Sequence, residues 1–267
     1  MTEQELLLTS ILNCRRVDLY TRDLDLSESQ SALLKRAQQR CRSGEPIQYV
    51  LGETDFLGLT LAVNPDVLIP RPETEWMVAH IRTVMKERAR KSSKPLSLLD
   101  LGTGSGAIAI AMAKEISSLQ CTAVDVSRAA LGVARDNAAR HGIGDRISFI
   151  HDEAACFLSA CPSTSYDIVV SNPPYIPQSC LKTLPPEVQR EPHLALDGGQ
   201  DGLDFYRLFC RTVPRILQDQ GMLVCEFWDN QETMIQQIFQ DAWEIQFFND
   251  LSGVARFFVA GLMPPNV

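Results

Sequence analysis

The sequence predicts an α/β protein: a doubly wound, Rossmann-like, mostly parallel sheet with an antiparallel hairpin at its C-terminal end, preceded by a small helical domain. Three observations predict it. From about residue 73 onward, stretches with helical periodicity alternate with short apolar runs of strand length. A glycine loop, Gly102-Thr103-Gly104-Ser105-Gly106, stands between one such run and a helix. Ahead of Gly44, residues 3–15 and 28–43 carry helical patterns.

Residues 3–15 and 28–43 read as helices because Leu6, Leu7 and Ile11, then Leu33 and Leu34, recur at helical spacing. Ser27 or Ser29 caps the second. Gly44-Glu45-Pro46 breaks the pattern. Residues 55–63 read as a short hairpin turning at Gly58, and Asn64-Pro65-Asp66 ends it. The expected division is a helical domain of residues 1–52, a hairpin linker of residues 53–70 and an α/β domain of residues 71–267. Pro72 stands near the first turn of the next helix, 73–90, where its missing N–H costs nothing. Then follow strand 96–101, helix 105–117, strand 120–125, helix 127–140 and strands 146–151 and 166–171. Helix 202–218, strand 221–227, helix 230–240 and strands 243–248 and 254–260, which turn at Ser252-Gly253, finish the chain. Between them the proline-marked loop 172–200 is long enough to expect a function.

Strand, glycine loop and helix form a nucleotide-binding opening. Glycines let the backbone approach a ligand, and the helix N-terminus aims N–H groups at an anion. Gly102, Gly104 and Ala107 also fit the looser dinucleotide pattern, so the loop suits either NAD or S-adenosylmethionine. Asp125 ends the next strand, where a carboxylate can accept both ribose hydroxyls of either molecule. Asp152 and Glu153 follow the third strand, placed to meet an adenine. The bland reading of each acid is a strand-end or helix-capping carboxylate.

Asn172-Pro173-Pro174-Tyr175 separates the two cofactors. It follows the run 166–171, at the strand edge where open α/β sheets bind ligands. A dehydrogenase needs a hydride-site or proton-relay group there. This tetrapeptide instead suits methyl transfer to a planar nitrogen whose lone pair is delocalised. Two acceptors on that nitrogen's N–H bonds would hold it in line: the Asn172 side-chain oxygen and the Pro173 carbonyl. Proline fixes φ and has no N–H, so the bend offers carbonyls in a stiff frame. Tyr175 offers a face for a planar group or a cationic methyl donor. Alignment would supply most of the rate.

The 267 residues, 45% of them apolar, are enough for one large domain or a large and a small one. A net charge of −8 argues against a general polyanion binder. Basic residues cluster at Lys35–Arg42 and Lys86–Lys94, which read as solvated helix faces. The eight cysteines include no C-x-x-C pair and the four histidines have no ligand spacing, so no metal and a reducing compartment are expected. The start lacks a signal-peptide pattern, and no apolar run nears the ~20 residues of a membrane span, so a cytoplasmic, soluble protein is expected.

The chain resembles the HemK/PrmC family, the glutamine methyltransferases of peptide chain release factors. The resemblance rests on Gly44–Tyr49 with Gly52, on Leu68–Glu75, on Asp100–Gly106 and on Ser171–Pro177. It continues through Glu191-Pro192, Ala195–Gly199, Asp201–Leu203, and Asp250-Leu251 with Gly253 and Arg256. The tetrapeptide alone is shared with DNA and RNA amino-methyltransferases; the linker and Asp-Gly-Gly motifs are narrower. The resemblance implies a class I S-adenosylmethionine-dependent methyltransferase domain behind a helical domain that grips the substrate. It implies methyl transfer to the glutamine amide of the Gly-Gly-Gln tip of class 1 release factors. On it, Gly102, Thr103, Gly104, Ser105, Gly106 and Asp125 hold the donor, and Asp152 or Glu153 borders the adenine. Asn172 and Pro173 grip the glutamine, Pro174 and Tyr175 complete the pocket, and Arg71–Thr74 lie near the cofactor. Two departures stand out. Trp228 occupies a usual glycine position in Glu226-Phe227-Trp228, although Gln231 follows as expected. No aromatic directly follows Asp152, and Phe157 is the nearest candidate to stack on adenine. The rival readings are a ribosomal-protein glutamine methyltransferase, a nucleic-acid amino-methyltransferase and a cofactor-binding protein without catalysis.

Overall fold

Reciprocal caps start the first helices. In the computed structural model, which describes residues 1–22, 25–240, 242–250 and 252–263, Thr2 caps α1 (Glu3–Leu12). Its hydroxyl accepts from the Glu5 amide at 3.2 Å and its own amide donates to the Glu5 carboxylate at 2.7 Å. The short α2 (Asp18–Thr21) follows, then α3 (Glu28–Arg42) and α4 (Ile47–Leu51). Ser27, of the two candidates, caps α3 in a box with Gln30. Leu7 is buried as its spacing suggests, but Leu33 is 53% exposed and α3 has no fully buried residue. A two-helix layer leaves one flank of each helix in water.

The hairpin is β1 (Glu53–Phe56) and β2 (Leu59–Ala62), joined by Leu57 and Gly58 at φ 51° and 77°. Two successive positive φ values give the tight turn that matches strand twist. The α/β part then runs α5 (Pro72–Lys91), β3 (Ser97–Leu101), α6 (Ala107–Glu115), β4 (Gln120–Asp125), α7 (Arg128–Arg140), β5 (Ile147–His151), α8 (Ala154–Ala160) and β6 (Tyr166–Ser171). After three 3₁₀ turns come α9 (Asp204–Ile216), β7 (Leu217–Glu226), α10 (Glu232–Phe239), β8 (Trp243–Asn249) and β9 (Ala255–Leu262).

The described residues form a seven-stranded sheet in the order β5-β4-β3-β6-β7-β9-β8. Neighbours from β5 through β7 are parallel, and β9 runs antiparallel to both β7 and β8. Strand alternation sends Leu98, Ile168, Val170 and Val224 into a core with the hairpin, α5 and α6. Leu99, Val169, Leu223 and Cys225 face the other core, with α8, α9 and α10. α9 shows how its face is chosen: Tyr206, Phe209, Val213 and Ile216 recur at helical spacing and all are buried. The helices missed by periodicity, α2, α4 and α8, are four, five and seven residues long, too short to display a period. In the closing hairpin Arg256 pairs with Asp229 and Asp250, and Leu251 lies outside the described residues. Among the described residues no helix is long and apolar enough to cross a membrane.

One buried side chain docks the linker onto the α/β part. Asn137 of α7 is fully buried and acts as a strand partner for β2. Its side-chain oxygen accepts from the Ala62 amide at 2.7 Å, and its NH₂ donates to the Ala62 carbonyl and to the Ser105 carbonyl, both at 3.0 Å. Asn137→Ala strands three polar backbone groups and is expected to destabilise the fold by about 2–4 kcal/mol. Urea denaturation followed by circular dichroism measures this; an unchanged midpoint rejects the docking role.

Candidate active site

The sheet order reverses between β3 and β6, so the chain leaves their carboxyl ends in opposite directions and opens a crevice there. The glycine loop leaves β3 and the Asn-Pro-Pro-Tyr bend leaves β6, so the two motifs, remote in sequence, face one another.

Beneath the loop, the Gly102 and Thr103 amides donate to the Val124 carbonyl at 2.9 and 3.1 Å. Asp100 is completely buried and accepts from the Thr103 hydroxyl at 2.7 Å and the Ala109 amide at 3.3 Å. Its other oxygen has no partner among the described residues. Burial pushes this carboxyl up to about 7. Asp125 ends β4 and accepts from the Gly104 amide at 2.9 Å and the Ser127 amide at 2.8 Å. Burial raises its pKa too, against those bonds. Each oxygen has a further lone pair for a ligand hydroxyl.

A cleft of about 610 Å³ lies over these strand ends, a size that suits a nucleoside-like ligand. Gly102, Gly104, Asp125, Asp152, Glu153, Asn172, Pro173 and Pro174 all line it. Thr103, Ser105 and Gly106 do not. Thr103 turns down to Asp100, Ser105 is buried, and a Cβ on Gly106 would meet Ile110 and Ala134 at 2.9 and 3.2 Å. That last glycine lets α6 approach α7. A second cavity of about 200 Å³ is lined by Arg71, Tyr175, Ile176, Val188, Leu196 and Trp228, among others. Leu68, Asn172 and Ala195 line both cavities. Asn172 thus stands on the boundary between a large chamber and a small one, and Tyr175 belongs to the small one.

The surroundings fix that boundary residue. The Asn172 NH₂ donates to the Thr74 hydroxyl at 3.1 Å. The Thr74 hydroxyl donates to Glu226 at 2.6 Å, and the Tyr175 hydroxyl donates to the other Glu226 oxygen at 3.0 Å. Burial pushes Glu226 up to about 7 and Tyr175 well above its ordinary value. The Asn172 side-chain oxygen and the Pro173 carbonyl accept no hydrogen bond from the described residues.

The long loop 172–200 buttresses the bend. The Ile176 amide donates to the Leu196 carbonyl at 3.0 Å, and the Gly198 amide donates to the Ile176 carbonyl at 2.9 Å. A Cβ on Gly198 would lie 2.7 Å from the Tyr175 backbone, which explains the glycine of the Asp-Gly-Gly motif. Gln231, buried at the start of α10, accepts from the Trp228 amide at 3.1 Å and donates to the Tyr175 carbonyl at 3.0 Å. Glu191 reaches across to the linker, accepting from the Ile69 amide at 3.0 Å and from Arg71.

Several cleft residues carried no sequence signal. Phe205 and Leu208 of α9 line the large chamber, while Phe157 packs against the neighbouring core and does not. Their helix was legible, but not which of its half-buried residues turn into the cleft. Thr74 lay inside a recognised motif without an assigned partner. Among the described residues no three His, Cys, Asp or Glu side chains are grouped to hold a metal ion.

Comparison with known proteins places this geometry. Residues 2–52 match the PrmC N-terminal domain and residues 82–184 the Methyltransferase small domain. A release factor glutamine methyltransferase of Geobacter sulfurreducens is 39% identical over 239 residues, covering 89% of this chain and 80% of its own. One from Coxiella burnetii is 38% identical over 261 residues, covering 97% and 90%. Among solved structures, the SAM Dependent Methyltransferase from Agrobacterium tumefaciens superposes with a TM-score of 0.54 at 17% identity, covering 79% of this chain and 69% of that one. The hMettl16 catalytic domain, solved with an RNA hairpin, gives 0.62 at 14% identity, covering 99% and 92%. Both show the class I methyltransferase fold.

The buried carboxyls give the fold a pH dependence. Glu226 and Asp100 sit at about 7 when folded, against ordinary values of 4.5 and 3.8. Between those limits the folded state holds protons that the unfolded chain releases. Their contribution is full below the ordinary values and is lost as pH rises through about 7. Without ligand, the unfolding free energy is expected to fall from about pH 5 to about pH 8, and to fall less in Glu226→Gln, which has no proton to lose. Urea titrations at several pH values measure it; parallel slopes contradict the assignment.

Proposed function

The chain belongs to the release factor glutamine methyltransferase family, and on that premise we propose that it methylates the side-chain amide nitrogen of the glutamine in the Gly-Gly-Gln motif of class 1 peptide chain release factors, with S-adenosylmethionine as donor. The observation that carries this reading is the place of Asn172 between the large and small chambers.

The residues fit the donor. The large chamber has glycine backbone at a helix N-terminus for its carboxylate, Asp125 for its ribose, and Asp152 with Glu153 toward its base, with Phe205 as the nearby ring. When bound, the donor supplies an electrophilic methyl on a sulfonium. The small chamber suits a glutamine side chain, walled by Tyr175 and Trp228. Asn172 accepts one amide N–H through its side-chain oxygen and the Pro173 carbonyl accepts the other. With both N–H bonds held, the amide plane is fixed, so that one face of the nitrogen's delocalised lone pair is turned to the large chamber. Pro173 and Pro174 keep the bend from yielding. Tyr175 stays un-ionised because burial and Glu226 both raise its pKa, so it serves as wall and donor rather than as base. Rate enhancement then comes from alignment of two bound partners.

Residues 1–52 act as the substrate-gripping unit, residues 53–70 as the linker and residues 71–267 as the catalytic unit. The site works on protein rather than nucleic acid, which agrees with the net charge of −8, and it works in the cytoplasm, where release factors act.

Labelled S-adenosylmethionine should transfer its methyl to the Gly-Gly-Gln glutamine of purified release factor; label appearing in nucleic acid alone overturns the reading. Asn172→Ala should lower kcat by at least about 10²-fold while donor affinity stays within a few-fold, as expected for a contact made to the reacting nitrogen. Retained turnover removes Asn172 from the mechanism. Asp125→Ala should weaken donor binding by about 1–3 kcal/mol in calorimetry, the scale of a lost charge-assisted hydrogen bond. An unaltered dissociation constant rejects its role.

A further inference from the structure

A primary amide has two nearly identical faces, and only its oxygen can accept a hydrogen bond. An Asn172 turned over by half a rotation would present NH₂ to the substrate amide, donor against donor. Something must forbid that rotamer.

We propose that Thr74 and Glu226 are positioning residues whose hydrogen-bond relay forces the Asn172 side-chain oxygen to face the small chamber. The inference rests on the functional reading above and deepens it. Thr74, in the first turn of α5, is 3% exposed, and Glu226, at the end of β7, is 2% exposed. Neither is open to bulk water. The Thr74 hydroxyl carries one proton, and above about pH 7, where Glu226 is ionised, the carboxylate takes it at 2.6 Å. What Thr74 then has left to offer Asn172, 3.1 Å away, is a lone pair. A lone pair can be satisfied by the Asn172 NH₂ and not by its oxygen, so the oxygen turns the other way. Glu226 also receives the Tyr175 hydroxyl at 3.0 Å, so one carboxylate orients both the acceptor and the wall of the chamber.

The relay joins three elements that are distant in the chain. Thr74 and Asn172 are separated by 98 residues, and Thr74 and Glu226 by 152. It also gives the linker motif a reason for its spacing. Arg71 pairs with Glu191 of the covering loop, Thr74 meets Asn172, and Glu75 accepts from the Leu57 amide of the hairpin at 3.0 Å. The three functional residues of that first turn reach three different parts of the site's surroundings.

Thr74→Val and Thr74→Ser, assayed with release factor and S-adenosylmethionine, separate positioning from packing. Valine keeps the shape and loses both bonds; serine keeps both bonds and loses a methyl. Thr74→Val is expected to lower kcat by about tenfold or more, with the donor dissociation constant near wild type, and Thr74→Ser to recover kcat to within about threefold. Should Thr74→Val not fold, Thr74→Ala is compared with Thr74→Ser instead. Wild-type kcat in the valine variant, or equal losses in valine and serine, overturns the relay while the function stands. Wild-type protein that methylates no release factor overturns both.

Discussion

The structure depends on holding one amide at the junction of two chambers. Asn172 follows directly on β6, a strand buried on both faces and flanked by β3 and β7. That position cannot shift without shifting the sheet. Burial makes the placement stable and also sets its chemistry: Thr74 and Glu226 are shielded from bulk water, and their orientation follows from who holds the proton. A strand end on the surface would allow the same residues many arrangements.

Other parts of the molecule serve that junction. The Asp-Gly-Gly turn lies against the Tyr175 backbone where no side chain would fit. Gln231 ties the end of β7 to the Tyr175 carbonyl, and Glu191 ties the loop back to the linker. Asn137 anchors the hairpin on the helix behind the glycine loop. Gln231, Glu191 and Asn137 are buried polar groups with partners, and each joins segments far apart in sequence. The long loop after β6 is therefore a brace as well as a cover.

The readable parts of the sequence were those that carry local patterns. β3, the glycine loop and α6 announced themselves by an apolar run, positive-φ residues and a run of small side chains. Asn172 was legible because a polar amide and two prolines after a buried strand have few other uses. Ser27 was legible only as one of two candidate caps, and its box with Gln30 decides for it. What stayed hidden was long-range or short. The Thr74–Glu226 relay spans 152 residues, and no period or motif links the two. α8, at seven residues, is under two turns. Leu33 misled because helical spacing says which residues share a face, not whether another layer covers it. Phe205 was passed over for Phe157 because sequence nearness to Asp152 is a poor guide to what crosses the cleft from α9.

The central claim is that a glutamine amide enters the small chamber and meets the donor's methyl position at Asn172. A crystal structure with S-adenosylhomocysteine and a Gly-Gly-Gln-bearing release factor tests it most directly. The account predicts the sulfur in the large chamber, the glutamine side chain between Tyr175 and Trp228, and its nitrogen within hydrogen-bond reach of the Asn172 side-chain oxygen and the Pro173 carbonyl. A glutamine bound outside that chamber, or an Asn172 presenting its NH₂ to the substrate, would contradict it.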